Sequence, residues 1–115
     1  MNPTLALIEK YYAAFNSGAM DTFLNLLSDD VIHAINQGRC EVGKDAFRAF
    51  MDRMNGAYKE TLVDMVIMAS ADGKRAAAEF VVLGEYLRTD EGLPTAKGQK
   101  YRLPAGAFFE VRNGK

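Results

Sequence analysis

The chain has 115 residues, a formal net charge of −1 and 49% apolar residues. This is the composition of one globular domain, large enough to bury a core and too short for a second. The near balance of 14 basic and 15 acidic residues, with no Lys/Arg run longer than two, provides no basic stripe for nucleic acid or an anionic membrane. The apolar runs are too short to span a bilayer, and the N-terminus lacks the basic-then-apolar order of a secretory leader.

Asn2 and Pro3 read as the cap and first residue of a helix. Leu5, Ile8, Tyr12 and Phe15 then recur at helical spacing, with Tyr11 on the edge of the stripe. Asn16-Ser17-Gly18 ends that helix, and a shorter one follows with Met20, Phe23, Leu24 and Leu27 on one face. Ser28-Asp29-Asp30 is turn chemistry, and the β-branched run from Val31 to Gly38 is a strand. It holds the one histidine of the chain. Alternation places Val31, His33 and Ile35 on one face and Ile32 and Ala34 on the other. An inward histidine with an amide close by, Asn36, is either a reactive group in a pocket or a satisfied core residue.

Cys40 is the lone cysteine, read in a Gly-Arg-Cys-Glu loop as a passive thiol of a reduced, cytoplasmic protein. One cysteine and one histidine exclude the usual Cys/His zinc sites, and no cofactor is expected. Gly43-Lys44-Asp45 opens a third helix with an apolar stripe of Phe47, Phe50, Met51, Met54 and Tyr58. Residues 60–69 and 75–87 read as strands joined at Asp72-Gly73, a strong hairpin turn. Residues 88–98 are a loop. Residues 99–112 form a third long strand, in which Pro104 and Gly106 predict a bend or bulge. Asn113-Gly114 is a second hairpin turn followed only by Lys115, so a returning strand is expected to be absent from this chain or supplied by a partner chain. The sum is a single α+β domain over residues 1–115, with helices packed on one side of a curved, mainly antiparallel sheet.

Several segments together resemble a known family: Tyr11-Tyr12…Asn16-Ser17-Gly18, Leu27-Ser28-Asp29-Asp30-Val31, His33…Asn36, Gly43-Lys44-Asp45-Ala46-Phe47, Arg75-Ala76-Ala77-Ala78-Glu79-Phe80 and Pro104-Ala105-Gly106-Ala107-Phe108-Phe109-Glu110. They are similar to the SnoaL-like and ketosteroid-isomerase-like proteins of the NTF2-like superfamily, in particular the ketosteroid isomerase-related subgroup. The resemblance implies a cone-shaped α+β barrel around one apolar pocket, dimers formed through the sheet, and one further strand after Gly114. It is specific for the fold and weak for the reaction.

Carried over residue by residue, the resemblance places the oxyanion-donating tyrosine of ketosteroid isomerases at Tyr11. Their general-base aspartate falls at Ile35, or at Asn36 with a bulge, and their second oxyanion donor falls at Gly106. The arginine and aspartate of limonene-epoxide hydrolases fall at Phe80 and Val82. Both mechanisms are therefore disfavoured. What remains is His33 as acid or base, Tyr11 or Tyr12 as donor, and Asn36 to hold a water or carbonyl. Phe15, Ile35, Phe47, Met51 and Met54 are expected to line the pocket with these, together with Phe80, Val82, Tyr86, Leu103 and Ala105 from the sheet. The expected ligand is a small apolar carbonyl compound, met by a cofactor-independent isomerase, cyclase or hydrolase or by a binding module without chemistry. Val81 and Leu83 on the opposite face suggest a covered surface and a homodimer, and Glu79 and Glu85 lie away from the pocket.

Overall fold

A computed structural model describes residues 2–35, 38–90 and 92–115. The order of elements is α1 (Pro3–Ser17), α2 (Met20–Asn25), β1 (Ile32–Ala34), β2 (Cys40–Val42), α3 (Lys44–Ala57), β3 (Tyr58–Ala69), β4 (Arg75–Tyr86) and β5 (Gln99–Glu110). The strands form a two-stranded sheet, β1-β2, and a three-stranded antiparallel sheet in the order β3-β4-β5. Among the described residues they close no barrel.

Helix α1 starts as its sequence dictates. The Asn2 side chain accepts from the Thr4 N–H at 2.9 Å and donates to the Ser70 carbonyl at 3.2 Å, so one cap also ties the helix to the β3–β4 turn. Thr4, itself buried, donates its hydroxyl to the Gly73 carbonyl at 2.6 Å. At the other end Gly18 takes the left-handed conformation at φ 74°, and its N–H returns to the carbonyls of the last turn. Between these ends the apolar stripe lies across the sheet. Ile8 and Tyr12 pack with Leu62, Ala76, Ala78 and Val82. A second core joins Ala14, Phe23 and Leu24 to Phe47 and Met51 of α3, with Tyr11 and Phe15 touching both cores.

Along β4 the alternation holds. Ala76, Ala78, Val82 and Tyr86 are buried and Phe80 packs against the core, while Glu79 and Leu83 are exposed. The sheet departs from expectation in two places. Strand β5 pairs with β4 in unbroken register from Gln99 to Glu110, straight through Pro104 and Gly106. Among the described residues it has a neighbour on one side only, so a proline nitrogen facing the open side removes no ladder bond. The register shift occurs instead in β3, between Val63 and Val66, where Asp64 has φ 54°. The other correction concerns Cys40. It belongs to no loop but opens β2, which pairs with β1 as Ile32↔Val42, His33↔Glu41 and Ala34↔Cys40. At the C-terminus, Arg112 and Lys115 exchange both backbone hydrogen bonds at 3.0 Å, closing the tight turn predicted at Asn113-Gly114.

Candidate functional site

The β1-β2 hairpin presents His33 to α3. Ile32 is 71% exposed on one side of the strand, so the alternation turns His33 the other way. Its imidazole stacks on Phe47 with ring centres 4.3 Å apart and meets the edge of Phe50 at 4.8 Å. Glu41, the cross-strand partner, is on the same face. Among the described residues, Nδ1 of His33 and Oε1 of Glu41 are both buried and neither has a hydrogen-bond partner. Glu41 does meet Arg39 at 3.5 Å. Burial lowers the His33 pKa below its ordinary 6.5, and the negative charge of Glu41 partly offsets this. The imidazole is therefore held neutral at pH 7, able to accept a proton.

The tyrosine candidates are elsewhere. The run of ring contacts from His33 passes through Phe47 to Phe23 (5.8 Å) and then to Tyr11 (4.4 Å). Tyr11 and Tyr12 meet edge to face, and Tyr12 reaches Phe80 at 5.3 Å. Two phenylalanines thus stand between the histidine and the nearer tyrosine. Burial raises both tyrosine pKa values, and at Tyr11 the neighbouring Tyr12 acts in the same direction. Both phenols stay protonated and can act only as donors.

Of the remaining expected residues, Phe47, Met51 and Val82 are buried in the two cores, and Phe15, Phe80 and Ala105 pack against them. Ile35 and Met54 are half-buried. Asn36 lies outside the described residues. Leu103 sits on the inner face opposite Val82 yet is 54% exposed, because no described strand lies beyond β5 to cover it. Tyr86 lines a cavity of about 230 Å³ with Tyr58, Leu93, Pro94, Gln99 and Tyr101. Another concavity, about 490 Å³, opens at the far end of the sheet between Met68, Arg75 and Phe108 and contains none of the expected residues. No group of three or more His, Cys, Asp or Glu side chains among the described residues is placed to hold a metal ion. No helix among them is long and apolar enough to cross a membrane.

Glu41 was missed in the sequence. The signal was the pair of short runs flanking Gly38, which a hairpin reading would have paired as 33 with 41. The cluster of Tyr58, Tyr86 and Tyr101 was missed too, since it forms only once three strand ends are side by side.

The comparisons agree with this architecture. The family model described as SnoaL-like domain matches residues 8–115. A candidate polyketide cyclase from Pseudomonas putida KT2440 is 61% identical over 97% of this chain and 84% of its own, with a TM-score of 0.96. Another candidate polyketide cyclase, from Xanthomonas campestris pv. campestris, is 50% identical over 98% and 84%, with a TM-score of 0.95. A candidate ketosteroid isomerase from Kribbella flavida DSM 17836 is more distant, 26% identical over 97% and 70%, with a TM-score of 0.68. No curated protein matches. With its helices on an antiparallel sheet and its full-length match, this chain belongs to the SnoaL-like family, an α+β domain of the NTF2-like fold related to polyketide cyclases and ketosteroid isomerases.

Proposed function

We propose that this chain binds a small, largely apolar carbonyl compound and that His33 moves a proton on it, as a cofactor-independent isomerase or cyclase would require. One observation carries the reading. His33 is held against Phe47 and Phe50 with a buried Nδ1 that no described residue engages. A histidine kept for packing alone would be expected to have its buried nitrogen satisfied. The apolar rings keep the imidazole neutral, the form that can take a proton from a carbon beside a carbonyl. Glu41 lies opposite with an unengaged oxygen, so the imidazolium formed in that step meets a stabilising charge. Tyr11, two rings away from His33, and Tyr12, one ring further, take no part in this transfer. The names of two relatives, candidate polyketide cyclases, support a ligand that carries carbonyl groups.

The test is a titration of the labelled protein with a panel of apolar β-dicarbonyl and aryl ketone compounds, read by NMR. At least one compound is expected to give saturable shifts centred on His33, Phe47 and Phe50. A panel that shifts nothing there, or only residues remote from β1 and α3, rejects the reading.

A second reading, self-association without chemistry, is favoured by a different observation. The outer face of the sheet carries Phe108 at 92% exposure, with Val66, Met68 and Leu83 also exposed. Such a patch fits a homodimer formed through the sheet. The exposed free thiol of Cys40 fits a reducing, cytoplasmic setting.

A further inference from the structure

Three tyrosines from three strands meet at the end of the sheet where α3 runs into β3. Tyr58 and Tyr86 are a cross-strand pair stacked at 5.3 Å, and Tyr101 stands at 85° to Tyr58 with ring centres 6.5 Å apart. Their rings, with Leu93 and Pro94 from the β4–β5 loop and Gln99, line the 230 Å³ cavity. The corner is built rather than incidental. Tyr101 is paired with Gly84 in the ladder, and a Cβ on that glycine would lie 2.0 Å from the Tyr101 ring. Only glycine lets the ring lie across β4 and reach β3, where its hydroxyl donates to Glu60. Tyr58 donates to Asp90 at 3.0 Å. Tyr86 donates to the Pro94 carbonyl at 2.7 Å and accepts from the Asp90 N–H at 2.8 Å, which fixes the loop over the cavity.

All three hydroxyls are thus spent on carboxylates or backbone, and the surface left to the cavity is overwhelmingly apolar. Two carboxylates lie just behind it. An anion would be repelled by that field. A metal ion or bare ammonium needs several oxygen ligands turned toward it, and the cavity presents mainly ring and apolar surface. A neutral apolar molecule would use the rings and gain nothing from the charge. A cation clothed in methyl groups uses both, since its charge is drawn to ring faces and its surface is apolar. Lys59 and Lys100 alternate onto the other face of their strands, and Arg88 lies against Gly56. Among the described residues Glu60 makes no ion pair.

We propose that this corner binds a compact alkylated ammonium group, held by the faces of Tyr58 and Tyr101 and by the field of Glu60. The phenols stay neutral there: burial, then the bond to Asp90, pushes Tyr58 up to about 12, and burial with Glu60 raises Tyr101. The site is independent of His33.

Tetramethylammonium and choline are titrated into the labelled chain at constant ionic strength, beside 3,3-dimethylbutan-1-ol, the uncharged counterpart of choline. The cations are expected to give saturable shifts at Tyr58, Tyr86 and Tyr101 with a Kd on the order of 1 mM, and the alcohol to bind at least about tenfold more weakly. Glu60→Gln keeps the rings and is expected to weaken the cations several-fold. Gly84→Ala displaces the Tyr101 ring and abolishes binding; should it not fold, Tyr101→Leu gives the same reading. His33→Ala leaves binding unchanged. Co-sedimentation with phosphatidylcholine vesicles distinguishes a lipid headgroup from a free solute as the source of the group. Equal binding of the alcohol, indifference to Glu60→Gln, or shifts confined to other residues would overturn the proposal.

Discussion

Asn16 does the work of a missing neighbouring strand. Among the described residues strand β3 is an edge of its sheet, so alternate backbone groups along it have no strand to pair with. At Leu62 both are met by one side chain. The Asn16 amide donates to the Leu62 carbonyl at 3.0 Å and accepts from its N–H at 2.9 Å. Asn16→Ala leaves two partly buried backbone groups unpaired next to the β3 bulge. Each such loss costs about 1–3 kcal/mol, and partial access to water brings the pair to about 2–4 kcal/mol. That is a large part of the roughly 5–15 kcal/mol by which a domain is stable. Asn16→Asp keeps the acceptor and loses the donor, so it falls between. Urea unfolding followed by circular dichroism measures all three proteins. A loss below about 0.5 kcal/mol for Asn16→Ala, the size of an ordinary surface change, would refute the clamp.

Four further outcomes follow from the same contacts. Phe23 is 1% exposed and touches Tyr11, Phe15 and Phe47, so Phe23→Ala should lower unfolding free energy by about 3–5 kcal/mol. Asn2→Ala removes the cap of α1 and its bond to Ser70, and a loss of about 1–2 kcal/mol is expected by the same denaturation. Between its depressed folded pKa and 6.5, His33 binds a proton only in the unfolded chain. Stability should therefore be complete above pH 6.5 and fall as pH drops through that value, with a flatter profile in His33→Gln. Phe108→Lys, at a side chain 92% exposed, should shift a dimer to monomer in sedimentation while changing monomer stability by no more than about 0.5 kcal/mol.

What could be read ahead of the structure was local. The stripe of Ile8 and Tyr12, the Asn2 cap and the Asp72-Gly73 turn each depend on neighbours in the chain, and each is in place. The inward turn of His33 followed from strand alternation alone. What escaped depends on which strands lie side by side. Pro104 signals a bulge only where its nitrogen faces a partner, and β5 leaves it an open side. The true bulge at Asp64 carries neither glycine nor proline. Glu41 becomes a neighbour of His33 through a two-stranded pairing of three residues each, too short for a periodicity to register. The passage of Tyr101 over Gly84 joins positions 17 apart in sequence and brings in Glu60 from a third strand.

Proton transfer by His33 can be measured without a known product, by exchange with solvent. Apolar β-dicarbonyl and aryl ketone compounds are incubated in deuterated buffer with the wild type and with His33→Gln, and loss of the proton beside the carbonyl is followed by NMR. Exchange above the buffer rate is expected for at least one compound, with a decrease of about 10²-fold or more in folded His33→Gln. Exchange that persists unchanged in folded His33→Gln would contradict proton transfer by His33.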